Sequence, residues 1–267
     1  MKKSVIVCTA LLALACSVTA FAATSSETFL DKIGVPTGTK IFATESADKN
    51  APAEQEQKTE KATSMDLVLI LDKSGSMYGL EKDTIGGFNS MLDKQRESNL
   101  PVKVTAVMFN NTISTIYERT DLEKVKNITD KEYTPQGTTA LLDAVGNTLS
   151  QMKTLPDINA KGNKVLVVIT TDGKENASKE WTYAKVKALI SELQEKNFEF
   201  VFLGANIDAA QTAQNIGIKK ENAMKYKNTK SGVQANFRAV NAMVADYAAG
   251  EMEAGKWKKE VEEDKSK

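Results

Sequence analysis

The sequence contains no histidine, and this absence excludes a large part of enzyme chemistry. Without imidazole there is no Ser-His-Asp or Cys-His nucleophile, no histidine general base and no histidine-bearing zinc, copper or haem site. Both cysteines, Cys8 and Cys16, lie in the first sixteen residues. If that segment is cleaved, the mature chain offers a metal neither imidazole nor thiolate, and its carboxylates, hydroxyls and amides suit hard cations.

The first residues have the pattern of a bacterial-type secretory signal peptide. Lys2 and Lys3 precede a mostly apolar run that ends at Cys16, and small residues at positions 20 and 22 follow it. We therefore predict a signal peptide at residues 1–22 and a secreted or periplasmic mature protein. A lipoprotein acylated at Cys16 is the less favoured alternative, because leucine stands one place later than in a typical lipobox. A buried N-terminal helix is the remaining alternative.

The later sequence predicts neither a membrane span nor a nucleic-acid partner. No stretch beyond the signal offers eighteen apolar residues in a row. Removing residues 1–22 takes away two lysines and no acid from 35 basic and 35 acidic residues, which leaves a net charge of −2. The most basic cluster surrounds Trp257 but is interleaved with glutamates, so residues 249–267 are predicted to be a solvated charged tail.

Residues 46–64 contain no large apolar side chain. Such a stretch cannot bury enough surface to offset its ordering entropy, so it is predicted to be a flexible polar linker. We assign residues 23–64 to an N-terminal extension and linker without a stated function.

Short apolar runs alternate with amphipathic stretches from Met65 onward, as is typical of a sheet covered by helices. Most of the runs are almost continuously apolar, which indicates burial on both faces and a largely parallel sheet. One further strand is expected at the sheet edge, paired with its predecessor through a turn at Asn110 and Asn111. The predicted strands lie at 66–71, 102–109, 113–117, 165–170 and 198–203.

Apolar residues at steps of three and four predict the helices. Three stripes start at Leu142, Trp181 and Val233, and further helices are expected at 83–97 and 208–214. The order of elements predicts a doubly wound α/β domain over residues 65–248, with helices on both faces of a mostly parallel sheet.

Three polar loops follow or adjoin this predicted sheet at the same edge. Asp72, Ser74 and Ser76 come directly after the first strand, with Gly75 allowing a close turn. Alone, this run is more typical of a Ser/Gly turn with an Asp that caps the next helix. Loops at 135–139 and 170–173 add more oxygen-bearing side chains, and ligands of open α/β sheets bind at the carboxyl ends of the strands. We therefore expect the three loops to converge.

These loops resemble the metal-ion-dependent adhesion site of von Willebrand factor type A domains, the family that includes integrin inserted domains. The matching motifs are DKSGS at 72–76, GTTALLDA at 137–144 and VITTDGKEN at 168–176. The resemblance covers residues 65–248 approximately. It implies that Ser74 and Ser76 ligate a cation directly, that Thr139 does so in one conformation, and that Asp72 and Asp172 act directly or through water. The implied ion is Mg²⁺, with Mn²⁺ or Ca²⁺ as alternatives.

Three neighbouring residues have other interpretations. Thr138 is expected to be a loop residue whose hydroxyl caps the following helix. Asp143 either orients the site from outside the ligand shell or complements the helix dipole, and its residue type does not decide between these. Asp66 is expected to be a structural residue at the start of a strand.

The function implied by the resemblance is cation-dependent binding of a protein that offers a Glu or Asp side chain, in adhesion or in assembly of an envelope complex. Hydrolysis would need a positioned base, and no histidine is available while the two aspartates are occupied with the metal. We therefore predict no enzymatic activity. The alternatives are a Mg²⁺-dependent phosphoryl-transfer site that uses Asp72, and a scaffold with a degenerate metal site.

Overall fold

Six strands form one sheet in a computed structural model that describes residues 60–205, 207–227, 229–251 and 257. The order across the sheet is third, second, first, fourth, fifth, sixth. All neighbouring pairs are parallel except the second with the third, which confirms the predicted mostly parallel sheet with one edge hairpin. The strands are β1 (Ser64–Asp72), β2 (Val102–Phe109), β3 (Ile113–Asp121), β4 (Asn163–Thr171), β5 (Phe198–Ala205) and β6 (Ala223–Tyr226).

Among the described residues, five α-helices cover both faces of the sheet, as predicted. They are α1 (Glu81–Arg96), α2 (Leu141–Lys153), α3 (Tyr183–Gln194), α4 (Ala209–Asn215) and α5 (Lys230–Ala249). The apolar residues of α1 and α5 pack in one cluster with Leu67 and Leu69, whereas those of α2, α3 and α4 pack in a second cluster with Val68 and Ile70. Because successive strand residues point to opposite faces, β1 is buried on both sides.

The structure differs from the sequence-based expectation in several places. The linker was predicted to extend to residue 64, but Ala62 is buried and Ser64 begins β1. Strand β6 was not predicted, because four residues with one exposed lysine make no distinct apolar run. Trp181, expected in the stripe of α3, precedes that helix, whose N-cap is Thr182. Trp257 is buried in the cluster formed by α1 and α5, so apolar packing continues beyond residue 248.

Several predictions concern residues outside the described ranges. The signal peptide at residues 1–22, with Cys8 and Cys16, lies there, as does the linker up to residue 59. Within the part of the chain that the structure describes, no helix is both long and apolar enough to cross a membrane.

The strand order places the ends of β1 and β4 side by side. In their parallel register Leu71 is paired with Thr170, so Asp72 and Thr171 end the two strands together. The chain leaves β1 toward β2 on one side of the sheet and reaches β4 on the other. This reversal opens a crevice at the carboxyl edge, where ligands of α/β sheets bind.

Candidate metal centre

Three loops meet at this edge through backbone hydrogen bonds. The Gly75 N–H donates to the Gly137 carbonyl at 3.0 Å, and the Gln136 N–H donates to the Lys73 carbonyl at 2.9 Å. The Asn176 N–H donates to the Thr139 carbonyl at 3.0 Å. The loops after β1, before α2 and after β4 are therefore joined, as the sequence led us to expect.

The predicted hydroxyl ligands lie in one cluster with Asp172. Ser74 Oγ is 3.0 Å from Ser76 Oγ, and the Ser76 hydroxyl donates to the Asp172 carboxylate. Thr139 reaches the same place from the loop before α2: a methyl group on Gly173 would lie 2.7 Å from Thr139 Oγ1 and 3.3 Å from Ser76 Oγ. The glycine thus leaves the space in which these hydroxyls meet.

Asp72 completes the cluster as a buried carboxylate. Its Oδ1 accepts from the Ser74 N–H at 2.7 Å, and its Oδ2 accepts from the Thr171 hydroxyl at 2.6 Å. Burial raises the pKa of Asp72 to about 6, and the nearby Asp172 carboxylate contributes to the rise. Among the described residues no lysine or arginine forms an ion pair with Asp72.

This donor set fits a hard divalent cation. The buried Asp72 carboxylate, which forms no ion pair with a described lysine or arginine and has a second carboxylate beside it, favours a bound positive charge, because an uncompensated buried charge is costly. Carboxylate and hydroxyl oxygens are ligands for Mg²⁺, Mn²⁺ and Ca²⁺. Asp72, Ser74, Thr139 and Asp172 are buried, whereas Ser76 is exposed, so the cluster opens to solvent on the Ser76 side.

The first turn of α2 is capped from the loop after β4, which the sequence did not reveal. Glu175 Oε2 accepts from the Leu142 N–H at 2.8 Å, and Ser178 Oγ accepts from the Asp143 N–H at 3.0 Å. These acceptors satisfy amide groups that have no partner inside the helix. The predicted capping by Thr138 is wrong: Thr138 is exposed, and the N-cap position, Ala140, has no side-chain cap.

Asn176 holds Thr139 directly, and sequence reasoning gave it no role. Its Oδ1 accepts from the Thr139 N–H at 2.9 Å, in addition to the backbone bond that Asn176 donates in return. No periodicity marks such a residue. The sequence feature that could have pointed to Asn176 is its position four residues after Asp172, in a polar loop that must reach the neighbouring helix.

Asp143 anchors the far end of the same loop. Its carboxylate accepts from three successive backbone N–H groups, those of Lys179 at 2.8 Å, Glu180 at 3.0 Å and Trp181 at 2.8 Å. Asp143 also lies in the first turn of α2, where a negative charge complements the helix dipole. Its contacts are with the loop, and a direct influence on a bound ion stays a prediction.

Two buried polar residues, Tyr133 and Asn110, support the backbone of the site, and the sequence analysis did not predict this role. The Tyr133 hydroxyl donates to the Asp72 carbonyl at 2.7 Å. Asn110 Nδ2 donates to the Gln136 carbonyl at 2.9 Å, and the Asn110 carbonyl accepts from the Ala140 N–H at 2.9 Å. They fix the backbone that carries the candidate ligands.

The sequence matches the family model of the von Willebrand factor type A domain over residues 66–239, which is more than half of the chain. The chain belongs to this family. Von Willebrand factor type A (VWA) domains are typically non-enzymatic modules that bind protein ligands through a metal site. A search of curated protein sequences finds no match.

Solved structures share this VWA fold at low sequence identity. One is proximal thread matrix protein 1 from the mussel byssus, with a zinc-occupied metal-ion-dependent adhesion site (MIDAS) motif. It is 16% identical with a TM-score of 0.50, and the match covers 68% of this chain and 46% of that one. The ArnB paralog VWA2 from Sulfolobus acidocaldarius is 15% identical with a TM-score of 0.45, covering 70% and 46%. This chain thus matches less than half the length of either protein, and the likeness shows the fold alone.

Proposed function

We propose that this VWA domain is a divalent-cation-dependent protein-binding module that recognises an acidic side chain of its partner. The observation that carries the proposal is that the Asp72 and Asp172 carboxylates lie beside hydroxyl groups that open to solvent at Ser76. Among the described residues, no lysine or arginine forms an ion pair with the buried Asp72. Together with the predicted signal peptide, this supports a secreted or envelope protein that acts in adhesion or assembly.

The proposed ligands are Asp72, Ser74, Ser76, Thr139 and Asp172. Mg²⁺ is the proposed ion, with Mn²⁺ and Ca²⁺ as alternatives that offer similar oxygen chemistry. Bound there, the ion supplies an electrophilic coordination position that a Glu or Asp carboxylate of a partner can fill. The protein's own contribution is to hold two carboxylates and three hydroxyls in place by the hydrogen bonds of the three loops.

Binding is favoured over phosphoryl transfer by the residue that stands two positions after Asp72. Position 74 carries serine, where phosphoryl-transfer sites with an aspartate nucleophile use a second aspartate. A scaffold with a degenerate metal site is disfavoured because all five side chains are present and close together.

Thermal and urea unfolding of the full-length chain in EDTA and in millimolar Mg²⁺ or Mn²⁺ tests the metal site. A ligand at a hundred times its dissociation constant adds about 2.7 kcal/mol to the free energy of unfolding. We expect this gain for the wild type and none for the double variant Asp72→Ala, Ser74→Ala.

The matched control removes the same residue types from the exposed surface of α1, in the double variant Asp93→Ala, Ser90→Ala. This control is expected to respond to Mg²⁺ as the wild type does. An equal response in the Asp72→Ala, Ser74→Ala variant, or no response in the wild type, would refute the proposed metal site.

A further inference from the structure

Two large apolar side chains of the described residues are exposed, each on a segment that continues from a loop of the metal centre. These are Tyr78, with 80% of its surface exposed, and Tyr183, with 40% exposed. Tyr78 follows Ser76 by two residues, and Tyr183 begins α3 directly after the loop that starts at Asp172. Isolated exposed apolar residues are normal on protein surfaces, but Tyr78, two residues after a candidate ligand, is placed to contact whatever binds there.

The backbone under Tyr78 is fixed. Met77 and Leu80 on either side are buried, and Gly79 adopts a left-handed φ of +88° that turns the chain between them. The Gly79 N–H donates to the Glu81 carboxylate at 3.0 Å, and the Tyr78 N–H donates to the Gly75 carbonyl at 3.2 Å. A ring presented from a fixed turn loses little entropy when a partner covers it.

Tyr183 is the first residue of α3 and lies eleven positions after Asp172. The pKa of its phenol is raised by partial burial and by the negative charge of Glu175, which also accepts from the first turn of α2. The ring of Tyr183 is therefore near Glu175, whereas Tyr78 is the exposed ring that stands beside a candidate ligand.

The charges beside the rings favour an acidic ligand. Lys73 and Lys174 lie on the loops of Asp72 and Asp172, and within the described ranges neither lysine forms an ion pair. The nearby carboxylates of Glu81 and Glu175 accept from backbone N–H groups, which hold them in place and leave their charge unchanged. Lys73 and Lys174 are therefore available to pair with a carboxylate of a ligand, next to the exposed ring of Tyr78.

We propose that Tyr78 is a specificity-determining contact, and that the ligand is an acidic peptide segment whose metal-binding Glu or Asp stands next to an aromatic or aliphatic residue. The inference rests on the proposed metal-dependent function and adds the chemistry of the flanking residue. Aromatic side chains carry a large share of binding energy at protein interfaces, because they bury a large area with few rotatable bonds.

A displayed library of seven-residue peptides, with a central Glu and random flanks, tests this proposal on the full-length chain in millimolar Mg²⁺. We expect enrichment of aromatic or aliphatic residues within two positions of the Glu for the wild type and for Tyr78→Phe, which keeps the ring. Selection on Tyr78→Ser is expected to lose that enrichment. The best wild-type peptide should bind Tyr78→Ser about tenfold or more weakly.

The outcomes separate this inference from the proposed function. Peptides that are released by EDTA but show no apolar preference, or that bind Tyr78→Ser as tightly as the wild type, would overturn the role of Tyr78 and leave metal-dependent binding intact. If no selected peptide depends on Mg²⁺ and on its Glu, the proposed function and the inference both fail.

Discussion

Strand β1 carries a buried aspartate near each end, and the two differ in whether a positively charged side chain binds them. Asp66 and Asp72 are each 1% exposed. Asp66 is bound by the Arg119 guanidinium, with Nε at 2.7 Å from Oδ1 and Nη2 at 3.1 Å from Oδ2, and by Asn163 Nδ2 at 2.9 Å. The described donors to Asp72 are all uncharged, a serine N–H and a threonine hydroxyl.

The difference teaches where the fold neutralises a buried charge by itself and where it does not. Arg119 reaches Asp66 from a left-handed φ of +41°, beside an irregularity in the pairing of β2 and β3, and such a conformation costs about 1–3 kcal/mol. The chain accepts this strain at a structural ion pair. At Asp72 the part of the chain that the structure describes supplies no such cation, which is the arrangement expected where the positive charge comes from outside.

Removing the protein's own cation should have the largest effect. Arg119→Met leaves Asp66 buried and unpaired and is expected to lower the free energy of unfolding by about 3–5 kcal/mol, measured by urea denaturation. The loss should be equal in EDTA and in Mg²⁺, because the ion pair lies near the amino end of β1, whereas the metal centre lies at its carboxyl end.

Lys124→Met is the matched control, since Lys124 pairs with Asp121 on the exposed surface and its loss should change stability little. A small effect of Arg119→Met would contradict the comparison, because Asp66 would then tolerate burial without its cation.

Asp72→Asn should have the opposite consequence in the absence of metal. Because the pKa of Asp72 is raised from 3.8 to about 6, ionisation at pH 7 costs the folded state about 3 kcal/mol. The asparagine amide removes that cost, but it replaces one carboxylate oxygen, a hydrogen-bond acceptor, with an NH₂ donor. We therefore expect the free energy of unfolding to rise by about 1–2 kcal/mol in metal-free buffer. The stabilisation by Mg²⁺ should disappear. A loss of stability in metal-free buffer would show that Asp72 is already compensated within the protein.

The pH dependence provides an independent check on Asp72→Asn. The folded protein holds the Asp72 proton more tightly than the unfolded chain does, so this carboxyl favours folding below about pH 4, and the advantage is lost as pH rises through about 6. In Mg²⁺ the contribution of Asp72 should have the opposite sign, because a cation prefers the ionised form. The free energy of unfolding of the wild type minus that of Asp72→Asn should therefore fall with pH in metal-free buffer and rise with pH in Mg²⁺. If this difference does not change with pH, both expectations are wrong.

The sheet was predictable because its strands are short, apolar and buried on both faces, and this pattern is local. The clustering of Asp72, Ser74 and Ser76 with Thr139 and Asp172 was predictable for a related reason: parallel strands and their loops bring side chains to one edge. The interpretation of Asp66 as structural agrees with its contacts. Its partner could not be read from the sequence, because Arg119 lies 53 positions away.

The supporting polar residues were not predictable in the same way. A sequence does not indicate which of many asparagines and glutamates will accept from a loop or helix more than thirty residues earlier, as Asn176 does from the loop before α2 and Glu175 does from α2 itself. Thr138 had the residue type and position of a local cap, but acceptors from the neighbouring loop occupy the first turn instead. Tertiary contacts therefore override a local rule at the site itself.

The smallest expected effect tests whether this supporting contact matters to the metal centre. Asn176→Ala removes the acceptor for the Thr139 N–H but none of the proposed ligands, so we expect Mg²⁺ affinity to fall about tenfold, measured by titration calorimetry. Thr138→Ala is the matched control, because its exposed hydroxyl caps nothing, and it should bind Mg²⁺ as the wild type does. If both variants bind Mg²⁺ with wild-type affinity, Thr139 does not need this anchor. If Thr138→Ala alone weakens binding, Thr138 rather than Thr139 is the threonine ligand.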